Sequence, residues 1–131
     1  MRNETVAEIA GHRVVLMDSI SLIAPQDKGA IIICGSHGGL ISGAFAALHP
    51  PHLVVFSDAG GGKAGAGRAA LAMLDAKGIA CATTSHDTAR IGDAQDAWLS
   101  GVRSAVSNTA RQKGLAVGQS VKEAAEVAGS T

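Results

Sequence analysis

An α/β fold on a mainly parallel sheet is what this chain of 131 residues predicts. Short β-branched or small apolar runs recur as AIIIC (30–34), LVVF (53–56) and IACAT (79–83), with glycine or proline close by. Continuous apolar runs of that length suit strands buried on both faces. Alanine-rich stretches with helical spacing lie between them, at 40–49 and 67–77. Strand–helix–strand–helix–strand at this spacing calls for right-handed crossovers and parallel neighbours. The expected architecture is a single domain spanning 1–131. It is a three-layer, Rossmann-like sandwich with a mainly parallel sheet, open to an antiparallel addition from the N-terminal segment.

That first segment has two readings. TVAEI, Gly11-His12 and RVVLM form either a hairpin or a short helix leading into one strand. Pro25 with Asp27-Lys28-Gly29 then marks a turn before the first buried strand. The helix over 40–49 stops at Pro50-Pro51. The next, over 67–77, carries Ala70, Leu71 and Leu74 on one side and ends at Gly78. From Asp93 to Lys113, Ala97, Trp98, Val102, Ala105 and Val106 predict one long helix. Gly101 weakens its middle by about 1 kcal/mol relative to alanine. Ser120 with Glu123 three residues on predicts a last helix over 120–127.

Composition sets the function classes. Hydrophobic residues make up 47% and aromatics 2%, with Trp98 the single tryptophan, so Ala, Val, Ile and Leu must fill the core. Few aromatics argue against stacking platforms for single-stranded nucleic acid. Eleven basic and eleven acidic residues leave no net charge with which to attract nucleic acid or an anionic membrane. Cys34 and Cys81 sit inside apolar runs and read as buried small hydrophobes in a reducing compartment. A disulfide between them has no special support, and no Cys/His zinc spacing is present. Without a signal-type segment or a run of membrane-spanning length, the expected location is the cytoplasm.

Three polar, glycine-rich runs leave the carboxyl ends of the buried strands, where open parallel sheets bind ligands. Gly35-Ser36-His37-Gly38-Gly39 precedes a helix, so its backbone and the helix N-terminus suit an anion, and His37 can move a proton. A plain strand-to-helix turn explains the same glycines equally well. Ser57-Asp58-Ala59-Gly60-Gly61-Gly62-Lys63 lacks the Ser or Thr of a phosphate loop. It offers backbone donors at Gly61 and Gly62, the Lys63 cation and the Asp58 carboxylate, or else a lid or subunit contact. Thr84 to Asp93 is the richest run. The imidazole of His86 is a candidate for proton exchange, Arg90 presents a planar fork, and Ser85, Asp87 and Asp93 supply polar support. The plainer reading makes Asp93 a helix cap paired with Arg90, and leaves His86 solvated. His37, Asp58 and His86 together are a minor candidate for a divalent metal, and no cofactor is required. His12, His49 and His52 read as structural.

The run GIACATTSHDTARIGDAQDAW resembles the stretch of B-type ribose-5-phosphate isomerases that follows their cysteine-glycine anion loop, and ICGSHGG is similar to that loop. The likeness covers under half the chain, and SDAGGGKAGAG departs from that family's layout. It implies Cys34 as the counterpart of the family's cysteine base, and sugar-phosphate isomerisation as one alternative function.

The leading expectation is a small cytoplasmic enzyme acting on a small anionic metabolite by acid–base or hydrolytic chemistry. Ser36, His37, Asp58 and His86 form the catalytic set, with Ser36 as nucleophile, the histidines exchanging protons and Asp58 or Asp93 orienting them. Gly38, Gly39, Gly61, Gly62, Lys63, Ser85, Arg90 and Asp93 hold the substrate. A homo-oligomer is expected to complete the pocket through Trp98 and the apolar Val102–Val106 surface. A non-catalytic metabolite-binding module or accessory subunit is the other alternative.

Overall fold

The computed structural model describes residues 3–58 and 69–130. Strands β1 (Asn3–Ile9) and β2 (His12–Met17) form an antiparallel hairpin, so the first of the two N-terminal readings holds. Its two turn residues, Ala10 and Gly11, have φ of 50° and 88°. Positive φ at both central positions matches the right-handed twist of the flanking strands, a conformation glycine adopts freely and alanine does not. Two 3₁₀ turns, Ile20–Leu22 and Pro25–Asp27, lead to β3 (Ile31–His37). There follow α1 (Leu40–Leu48), β4 (Leu53–Ser57), α2 (Ala69–Asp75) and β5 (Ala80–Thr84). Then come α3 (Ala94–Ser100), β6 (Arg103–Val106), α4 (Asn108–Gln112) and α5 (Val121–Gly129).

The six strands lie in the sheet in chain order. β2 to β5 are mutually parallel, and the outer pairs, β1–β2 and β5–β6, are antiparallel. The fold is therefore α/β with a mixed, mostly parallel sheet. Alternate strand residues enter two separate cores, as a period of two requires. Leu16, Ile31, Ile33, Leu53, Val55 and Ala82 pack with Ala94 and Ala97 of α3 and with Val121, Ala124 and Ala128 of α5. Val15, Met17, Ile32, Cys34, Val54, Phe56 and Cys81 pack with Ala46 of α1 and with Ala70 and Leu74 of α2. Full burial of each large aliphatic contributes about 1.5–3 kcal/mol. Small helix residues let α1 and α2 approach closely: a Cβ at Gly43 would lie 3.2 Å from the Ala70 Cβ.

The long helix expected over 93–113 is broken into α3, β6 and α4. Gly101 caps α3 with extended backbone (φ −68°, ψ 141°), and its N–H still reaches the Ala97 carbonyl. Arg103, Ala105 and Val106 then pair across β5 with Thr84, Thr83 and Ala82. Ser107 starts α4 by accepting the Ala110 N–H at 3.1 Å. A long-range ladder thus overrides an apolar spacing that fits a helix equally well. The expected contact stripe Val102–Val106 is accordingly no helix face. Val106 lies in the core, and Trp98 packs half-buried against it, with the Lys122 ammonium 5.5 Å from its ring. Cys34 and Cys81 are free and buried in the same core. Among the described residues no helix is long and apolar enough to cross a membrane.

Candidate functional site

The parallel strands β2 to β5 bring their carboxyl ends to one edge. There His37, Ser57, Thr84 and Arg103 stand directly across from one another in β3, β4, β5 and β6. Neighbouring strands are about 4.8 Å apart, so this row spans roughly 14 Å. The loop after β5 runs along that edge towards β2: the Gly92 N–H bonds the Gly35 carbonyl at 2.7 Å, and the Ala94 N–H bonds Asp18 Oδ1 at 2.9 Å. Residues 85–93 therefore cross the ends of β4 and β3 before α3 begins.

Asp58 and His86 meet there. Asp58 Oδ1 accepts the His86 backbone N–H at 3.1 Å and lies 3.3 Å from Nδ1. The Asp58 side chain is 10% exposed and the imidazole 46%, so a nearly buried carboxylate orients a ring that still faces solvent. On its outer side, Nε2 lies 3.2 Å from the exposed carboxylate of Asp87. An exposed pair of that kind contributes little and yields readily to a ligand.

Ser36 and His37 belong to a neighbouring cleft of about 300 Å3. Its lining includes Asp18, Ser19, Ser21, Gly35, Ser42, Phe45 and Ile91. The Ser36 hydroxyl accepts the Ile20 N–H at 3.0 Å. Among the described residues neither His37 nor His86 hydrogen-bonds it. Gly35 holds the cleft together: a Cβ there would lie 2.6 Å from the Asp18 carbonyl oxygen and from the Gly92 carbonyl carbon.

The other expected contacts divide. Lys63, Gly61 and Gly62 lie outside the described residues. The Gly38 and Gly39 N–H groups are engaged by the Ser57 and His37 carbonyls, both at 3.0 Å, so the donors expected of them are not available. Among the described residues the next N–H groups along the chain, those of Leu40, Ile41 and Ser42, have no such partner. Ser85 is taken up in its turn, with its hydroxyl accepting the Asp87 N–H. Asp93 caps α3 through the Asp96 N–H at 2.9 Å. It does not pair with Arg90; Arg90 instead gives its backbone N–H to Asp96 Oδ2 at 2.8 Å and extends its exposed side chain outward.

Cys34 is 1% exposed, and burial pushes its thiol up to about 11 despite hydrogen bonds from Ser36. A thiol held in that state supplies no base near neutral pH, which removes the role implied for it by the isomerase likeness. Among the described residues no three His, Cys, Asp or Glu side chains gather closely enough to hold a metal ion.

Three residues of this edge escaped the motif reading. Asp18 directly follows β2 and lines the cleft, yet its stretch reads only as a turn approach. Ser42 sits inside a helix pattern, where serine carries no signal. Arg103 is 1% exposed; its Nη2 donates to Gln119 Oε1, but Nε and Nη1 have no partner, and neither has the buried Thr84 Oγ1 across from it. Burial pulls the guanidinium down to about 10, with Glu123 opposing, so it remains charged at neutral pH. No protein-family model, curated protein or solved structure matches the chain.

Proposed function

We propose that this protein is a small enzyme that moves protons on a small anionic metabolite at the carboxyl edge of its sheet, within a three-layer, Rossmann-like arrangement. The observation that carries the reading is the Asp58–His86 pair. A largely buried carboxylate fixes both the backbone and the ring of a solvent-facing histidine. Held this way, Nδ1–H donates to Asp58, and Nε2 serves as acid or base once a substrate displaces Asp87. Arg90 in the same loop supplies a cation for the substrate's charge. Proton transfer is favoured over serine-centred hydrolysis because, among the described residues, no histidine bonds the Ser36 hydroxyl, which instead accepts the Ile20 N–H.

The test is a turnover panel of short carboxylates and sugar phosphates followed by NMR in deuterated water. His86→Ala is expected to abolish exchange or conversion while leaving affinity nearly unchanged. Asp58→Asn is expected to lower the rate by about 10²-fold or more. Unchanged turnover in His86→Ala sinks the proposal. A second reading, a non-catalytic metabolite-binding or accessory module, is favoured by the Ser36 hydroxyl being bonded to the Ile20 N–H and to no histidine among the described residues. It predicts binding without conversion in the unaltered protein.

A further inference from the structure

We propose that Arg103 and Thr84 enclose a binding site for a small monovalent anion of chloride size, between the carboxyl end of β5, the start of β6 and the segment 118–120. The inference is independent of the Asp58–His86 pair and gives the molecule a second ligand.

Three buried polar atoms carry it. Arg103 is 1% exposed and Thr84 2%. Nε and Nη1 of Arg103 and Oγ1 of Thr84 have no hydrogen-bond partner. The two residues stand directly across from one another in the antiparallel β5–β6 pair. Their side chains therefore leave the same face of the sheet, with Cβ atoms about 5 Å apart. That face is the one covered by α3 and α5: a Cβ at Gly101 would lie 2.7 Å from Thr84 Cγ2 and 2.9 Å from Val121 Cγ2. Buried polar atoms are ordinarily bonded, so an orphaned one points to a missing partner. A guanidinium offers donors only, and the hydroxyl beside it can donate as well. The missing partner is an acceptor.

Charge and enclosure define that acceptor. Nη2 donates to Gln119 Oε1, which is neutral. Glu123 is exposed, and its Oε1 accepts the Ser120 hydroxyl at 3.2 Å. Among the described residues no carboxylate pairs with Arg103. A buried cation without a counter-charge is costly, and one negative charge in contact with it offsets that cost. A divalent phosphate or sulfate would bring more charge and more lone pairs than these donors satisfy. The burial of both side chains leaves no room for an organic body. A single compact negative charge meets all three demands. Bound there, it ties β5 to β6 where the Thr84 carbonyl takes the Asp58 N–H at 2.9 Å and the Ser85 N–H bonds the Val102 carbonyl at 2.8 Å. It thus steadies the strand end from which residues 85–93 leave.

The test is a set of thermal melts of the full chain in HEPES with sodium gluconate, anions too large for the site. Sodium chloride or bromide, exchanged for gluconate at constant ionic strength, is expected to raise the melting temperature along a saturating curve. Arg103→Met should melt no lower than the parent in gluconate and should show no rise. Thr84→Val keeps the side-chain shape and should weaken binding about tenfold, the worth of one hydrogen bond to an ion. Crystals of the parent grown with bromide should show an anomalous peak beside Arg103 Nε and Nη1 and Thr84 Oγ1, a readout that does not depend on Arg103→Met folding. Equal melting in gluconate, chloride and bromide overturns the inference, as does a bromide peak absent from this position or a rise that persists in Arg103→Met. Glu123→Gln distinguishes the remaining partner: lost stability there, with no effect of the anions, assigns Arg103 to Glu123 and overturns the inference too. None of these outcomes touches the Asp58–His86 reading.

Discussion

The two ends of the sheet treat polar groups in opposite ways. At the amino end they are closed on one another. His12 and His52 stack with ring centres 3.9 Å apart, Nδ1 of His12 lies 2.8 Å from the Gly29 carbonyl oxygen, and Nε2 of His52 lies 2.6 Å from that of Ala128. Arg13 bonds the Gln26 carbonyl and pairs with Asp27, which itself takes the Ala24 N–H. Asp75 holds the first turn of α4 through the Thr109 and Asn108 N–H groups, at 2.8 and 2.9 Å. At the carboxyl end, Thr84 and Arg103 keep buried polar atoms without partners, and a half-exposed histidine rests on a nearly buried carboxylate. Stability favours closure. Open groups gather at the end where parallel strands deliver their loops, and the proposed function rests on that contrast.

The contrast can be broken most severely at Gly35. Gly35→Ala should cost about 3 kcal/mol or more in denaturant melts, because the nearest atoms are backbone and cannot turn aside. A loss under 1 kcal/mol would show that the loop 91–93 is free to retreat. At the amino end, His52→Ala should cost about 1–2 kcal/mol near pH 8, through the lost hydrogen bond and stacking. Burial holds the His52 imidazole below its ordinary 6.5, helped by Lys113 and His12 and opposed by the Ala128 carbonyl. The folded state thus resists protonation more than the unfolded state. The His52 contribution is fully present above pH 6.5 and is lost as pH falls from there through the lower folded value. Melting temperatures between pH 8 and 5 should fall in the parent and flatten in His52→Ala.

Arg103 tests the comparison from the other side. Arg103→Met should raise stability by about 1 kcal/mol, since it removes unpartnered buried donors while Gln119 Oε1 keeps the Ala116 N–H at 3.2 Å. Destabilisation by more than that amount would mean Arg103 is satisfied in solution. Asp75→Ala should cost about 1 kcal/mol, the usual worth of a helix cap. Burial pushes the Asp75 carboxyl up, but the Thr109 and Asn108 N–H groups outweigh it and hold it below 3.8. Its contribution is therefore present above pH 3.8 and lost as pH falls through the lower folded value, which an acid titration of both proteins would reveal. The smallest effect is at the hairpin. Ala10→Gly should stabilise by about 0.5–1 kcal/mol by relieving a positive φ.

Much of the fold was legible in the chain. AIIIC, LVVF and IACAT are too short and too apolar for surface helices, and each is a central strand. Ser120 with Glu123 marked the start of α5, where the hydroxyl accepts the Glu123 N–H at 3.1 Å. The stretch 93–113 failed because Val102 and Val106 satisfy helical spacing and strand preference alike; only the free edge of β5 settles the choice. Asp58 with His86 was legible as a pair of reactive loops. Arg103 was not, because an unpartnered polar atom is a property of the neighbours that are missing around it.

The order of side chains along the chain determined by itself which segments become the central strands β3, β4 and β5, that they alternate with helices, and that reactive residues follow the strand ends. These rest on local spacing and turn chemistry, which each segment carries alone. Tertiary structure decided which groups are closed and which stay open: His52 against Ala128, Asp75 against α4, Asp58 against His86, and Arg103 across from Thr84. Hydrogen-bond partners from far along the chain are chosen by packing two cores on one sheet, and no window of sequence contains both partners.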